Sequence, residues 1–157
     1  MESRIGIKPE NLAAGAQKLA VILADEFLLY TKTRNAHWNV EGADFYSKHK
    51  LFQDQYEKLD ATIDDIAERI RSVGHYAPAT LKEFLQLTRL TETRRVANSS
   101  EGFIKDLLLD HESIIMHLRE NINRFANEYH DLGTSDFITG LMEAHEKMAW
   151  TLRSHLK

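Results

Sequence analysis

Cysteine is absent from the 157 residues, which removes disulfide frameworks, thiolate zinc sites and thiol nucleophiles together. Any metal must therefore bind through His, Asp or Glu. No apolar stretch approaches the roughly 18 residues of a membrane span, and Met1 to Glu10 lacks the basic start and apolar run of a secretory signal. The expected location is the cytoplasm, with no membrane partner. Lys and Arg form no block, the formal charge is -4, and Glu2 and Glu10 offset Arg4 and Lys8 at the start of the chain. Nothing in that pattern resembles a nucleic-acid-binding arm.

What is present is the composition of a soluble globular protein, 43% hydrophobic and 28% charged, in a length that suits one domain over residues 1–157. The two prolines and few glycines fall mostly at the borders of long periodic segments. No strand-length alternation is visible, so the expected class is all-α. A first helix starts near Pro9, carries Leu12, Ala16, Leu19, Leu23, Phe27 and Tyr30 at spacings of three and four, and is interrupted at Asn39 to Ala43. A second runs from about Asp44 to Val73, with a seam of Phe52, Tyr56, Leu59, Ile63, Ile66, Ile70 and Val73 closed by Gly74.

A long connection follows, with a short helix expected over Leu81 to Leu90 and a polar stretch at Asn98 to Ser100. The third long helix is expected from Phe103 to about Phe125, and the fourth after Thr134 or Ser135. Two helical pairs joined by one long connection, with a small helix inside it, suit a ferritin-like four-helix bundle.

Bundles that hold two irons in their core use Glu followed three residues later by His on two helices. None of the eight histidines has that neighbour, so a metal is expected elsewhere. On a wheel of about 100° per residue, Glu57, Asp60, Asp64 and Glu68 share one face of the second helix, away from its apolar seam. Only Arg71 lies on that line, while Asp65 and Arg69 read as a surface pair. A solvated acidic face is the bland reading. His37, where the first helix ends, and His49, near the start of the second, supply the alternative: two imidazoles and two carboxylates form a ligand set for iron or zinc.

His49 and Asp64 lie fifteen residues apart on one helix, about 22 Å along its axis. They cannot hold one ion within a chain. A second copy lying antiparallel would bring its His49 opposite Asp64 and Glu68, giving a two-fold dimer with two equivalent sites.

The run His37-Trp38-Asn39, a second His twelve residues on at His49, and Asp64 followed by Glu68 in Asp64-Asp65-Ile66-Ala67-Glu68-Arg69 resemble the Dps family, or miniferritins. The resemblance extends from about Pro9 to Trp150-Thr151-Leu152-Arg153-Ser154. It implies a dodecameric shell built from two-fold dimers, in which ferrous iron is oxidised by hydrogen peroxide or dioxygen and ferric mineral is stored, protecting against oxidative stress. It also implies that His37, His49, Asp64 and Glu68 are both the metal ligands and the catalytic residues of this ferroxidase. Glu68 would be able to bridge two ions, with zinc as a competitor. Two-electron oxidation at paired irons would release no hydroxyl radical.

Many relatives carry an acid four places after the second His, where this chain has Gln53, a poorer iron ligand that weakens the expected second site. Trp38 reads equally as an acceptor of stray oxidising equivalents and as interface packing. His111, between Leu107 and Ile114, reads as a hydrogen-bonded core histidine. His75, His117, His130, His145 and His155 show no ligand spacing. Asp131 and Asp136 flank a turn where relatives line a pore, although helix capping explains acids there as well.

Two rival functions remain. The first is DNA compaction, disfavoured because the terminal cations are only Arg4, Lys8, Arg153 and Lys157, and tested by a gel shift at low salt. The second is a helical scaffold with no activity, separated from an oxidase by adding ferrous iron and peroxide.

Overall fold

The computed structural model describes residues 3–92 and 97–156. Its helices are α1 (Pro9–Asn39), α2 (Phe45–Ser72), α3 (Leu81–Leu87), α4 (Ser100–Asn127) and α5 (Leu132–Ser154). α1 packs chiefly on α2 and α4 on α5, α1 also meets α4, and α3 lies against α1. This is the expected architecture of two helical hairpins joined by a long connection that carries a small helix. Among the described residues there is no strand, only an isolated bridge between Glu41 and Ser99. No described helix is long and apolar enough to cross a membrane.

Local chemistry sets the helix ends. Pro9 opens α1, where its missing N–H costs nothing. Gly74, at φ +95°, closes α2 as His75 N–H reaches back to the Ile70 carbonyl. Thr80 and Glu83 form a reciprocal capping box for α3. α3 ends at Leu87 rather than Leu90 because the next residues are drawn off the helix axis. The Thr88 hydroxyl and the Arg89 N–H both donate to buried Asp25 Oδ1, at 2.8 and 2.7 Å.

α4 starts three residues before the expected Phe103, with the Ser99 hydroxyl accepting from Gly102 N–H. α5 starts at Leu132 rather than after Thr134 or Ser135, since the Asp131 carboxylate accepts from Thr134 N–H at 2.9 Å and caps the helix. The predicted seams form the core: Leu19, Leu23, Phe52, Leu59, Ile66 and Ile70 are each at most 1% exposed. In α2, Tyr56 and Ile63 reach only the half-buried edge, while Gln55 is buried and donates to the Met148 carbonyl of α5.

Candidate metal centre

The five-residue turn between α1 and α2 places His37, on the last turn of α1, against His49, the fifth residue of α2. Gly42 allows the reversal with φ +130°. His37 Nδ1–H donates to the His49 carbonyl and His49 Nδ1–H donates to the His37 carbonyl, both at 2.8 Å. A carbonyl only accepts, so each Nδ1 carries a proton, and the tautomer this selects for a neutral ring has its lone pair on Nε2. The rings stack at 3.7 Å between centroids with 21° between planes. Two imidazoles held in this way could serve as a pair of nitrogen ligands.

Aromatic side chains frame the pair. Tyr56 stands edge-on to His37 at 5.1 Å, and Phe45 lies 5.1 Å from His49. The Arg34 guanidinium sits 4.3 Å from the Tyr56 ring, 5.1 Å from Trp38 and 5.6 Å from Tyr30. Sequence reading missed this cluster. The spacing Tyr30, Arg34, Trp38 on one helix face is the signal that could have found it. Trp38 is 64% exposed.

Asp64 and Glu68 lie farther along α2. Both are exposed, and neither has a hydrogen bond or ion pair with another described residue. Glu57 and Asp60 are exposed on the same stripe, and Gln53 donates to Glu57 Oε1 at 2.8 Å. The structure thus brings His37 and His49 together and leaves Asp64 and Glu68 apart from them. Among the described residues no group of three or more His, Asp or Glu in the one chain could hold a metal.

Two other expectations need correction. Arg69 does not serve Asp65: its Nη2 donates to Asp131 at 3.2 Å and its Nε to Thr134 Oγ1 at 2.9 Å, which ties α2 to the start of α5. Arg71 turns away from the stripe to donate to the His75 carbonyl and stack on Tyr76. Asp131 is buried and engaged by Arg69, Thr134 N–H and the Thr134 hydroxyl, so its carboxylate caps α5. Asp136 is exposed. His111 is the hydrogen-bonded core histidine expected, with His145 as its partner.

The Ferritin family model, described as a ferritin-like domain, matches residues 16–157. An uncharacterized low temperature-induced protein of Nostoc sp. is 43% identical over 98% of this chain and 86% of its own length. DNA protection during starvation protein 2 of Bacillus anthracis is 34% identical over 85% of this chain and 90% of its own. The crystal structure of a Dps protein from Vibrio cholerae, described as a ferritin-like diiron-carboxylate protein, superposes with a TM-score of 0.92. It is 26% identical and covers 99% of this chain and 97% of that one. On sequence, family model and fold alike, the chain belongs to the Dps family of ferritin-like proteins.

Proposed function

We propose that the protein oxidises ferrous iron at sites shared between two copies of the chain and stores the ferric product in a closed shell of twelve subunits. The observation that carries this reading is the reciprocal carbonyl bonding of His37 and His49, which leaves two Nε2 lone pairs fixed and available. The carboxylates of Asp64 and Glu68, without partners among the described residues and about 22 and 28 Å from His49 along the helix axis, favour completion by an antiparallel mate. Iron is the substrate here. The chain's own residues bind and orient it: two neutral nitrogens from one copy, two anionic oxygens from the other, with Glu68 able to bridge two ions.

Few protein ligands leave positions at which peroxide or dioxygen can meet the iron. With peroxide, two ferrous ions give up one electron each, the O–O bond breaks, and both oxygens leave at the level of water or hydroxide. No one-electron oxygen radical is released, which supports a protective role. Zinc prefers the same donor set and would compete. DNA compaction is the weaker reading, because Arg153, one of the terminal cations, already donates to Glu112 at 2.8 Å.

Subunit complementation tests the proposal. His37→Ala and Asp64→Ala, each expressed alone, should lose peroxide-dependent ferric absorbance. Co-expression should restore roughly a quarter of the wild-type sites, because half the random dimers are mixed and each mixed dimer regains one site of two. Full activity in either single variant, or none in the mixture, would overturn the shared site.

A further inference from the structure

Arg34 is a half-buried cation whose guanidinium meets only rings: Tyr56 at 4.3 Å, Trp38 at 5.1 Å and Tyr30 at 5.6 Å. Among the described residues it has neither a hydrogen bond nor a carboxylate partner. A guanidinium carries five N–H donors in its plane, and stacking occupies the face while leaving that edge idle. The side chain is therefore held in place by its own chain but not satisfied by it.

The surface around it is unfinished as well. Trp38, Phe45 and Tyr46 are all exposed beside the turn that joins α1 to α2, with Phe45 against His49 and Trp38 against Arg34. Large aromatic side chains grouped around an idle Arg are the composition of a surface that another chain covers.

Opposite charge lies on α2. Asp60 is exposed and has no hydrogen bond or ion pair with a described residue. On a helix that turns about 100° per residue, Tyr56, His49, Asp60 and Asp64 point within about 80° of one another, so one surface carries them all. Arg71 turns away from that surface to the His75 carbonyl. Two copies meeting through it set carboxylates against carboxylates, an arrangement that repels unless a cation stands between them.

We propose that Arg34 of one copy pairs with Asp60 of a second copy, so that two such ion pairs, related by the two-fold axis, lock the antiparallel register of the dimer. This rests on the shared-site reading above, and the register follows from it. With His49 facing the turn between Asp64 and Glu68 of the partner subunit, Tyr56 faces the partner's α2 at about residue 59. The guanidinium over Tyr56 is then level with Asp60 of the partner subunit. Lys50, a second cation on this side, lies opposite about residue 65, more than a turn farther along, and donates to Gln53 at 3.4 Å. The two pairs fall between the two iron sites, and they need no iron to form. Rings cover the face of the guanidinium, so the pair is screened less than one on an open surface.

Sedimentation velocity of the iron-free protein over a concentration series tests the pairing. Arg34→Glu and Asp60→Arg, made separately, should each raise the concentration at which the protein is half assembled by about tenfold or more. The double variant Arg34→Glu with Asp60→Arg restores opposite charges and should return that midpoint to within about threefold of the wild type. Singles that assemble like the wild type, or a double variant as impaired as the two losses combined, would overturn the proposal. Should the reversals not fold, as read from helical circular dichroism, Arg34→Gln and Asp60→Asn decide instead. The neutral double variant should then lose no more than either single, and additive losses overturn the pairing. Because no iron is added, the outcome is separate from the complementation of His37→Ala by Asp64→Ala, and either result can fail while the other stands.

Discussion

Gln53 stands on the acidic face of α2, one turn from His49, and donates to Glu57 Oε1. An amide oxygen is a weaker ligand for iron than a carboxylate, so this position limits the second ion of each proposed site. Replacing Gln53 with Glu should raise the ferrous ions bound per site in an anaerobic titration from about one toward two, as added carboxylate charge does at oxygen-rich sites. An unchanged stoichiometry would show that the second ion depends on other groups. His37 and His49 were legible in the sequence as imidazoles at the end of one periodic segment and near the start of the next. Their reciprocal hydrogen bonds were not, since the bonds depend on how a five-residue turn closes. Glu26 was not singled out and His145 showed no ligand spacing, because each looks like an ordinary polar residue until the packing of three helices removes its solvent.

Among the elements, the start of α5 carries the most specific structural claim. Asp131 caps the helix and accepts from Arg69 of α2, so one carboxylate joins two helices. Asp131→Ala should cost roughly 1–2 kcal/mol of unfolding free energy, chiefly the lost cap, with Asp131→Asn costing less because an amide oxygen still accepts from Thr134 N–H. Equal losses in the two variants would contradict the capping role. Neither should slow iron uptake, whereas Asp136→Asn should if the exposed acid lines a pore. The boundary between α4 and α5 was misplaced in the sequence because Thr134 and Ser135 are themselves good caps, and only the folded chain shows Asp131 taking the position. The end of α3 was misplaced similarly, since the pull of Asp25 on Thr88 and Arg89 comes from a residue 63 and 64 positions away.

For the whole molecule, the four-helix architecture was readable because the apolar periods of α1 and α2 coincide with the buried faces. The two-fold arrangement proposed above rests in the sequence on a contradiction: His49 and Asp64 lie too far apart on one rigid helix to hold one ion. A net charge of -4 predicts that the assembled protein leaves duplex DNA unshifted at about 100 mM salt, where nonspecific binding relies on phosphate contacts. A tight complex under those conditions would restore DNA compaction as a function.

The central claim is that imidazoles of one subunit and carboxylates of another share the same ions. Anomalous diffraction from crystals soaked anaerobically in ferrous iron or cobalt addresses it directly. A peak about 2.0–2.2 Å from Nε2 of His37 and His49 in one copy and from the carboxylates of Asp64 and Glu68 in its two-fold mate is the predicted result. Metal held by the acidic stripe of a single chain, with both Nε2 atoms bare, would contradict it.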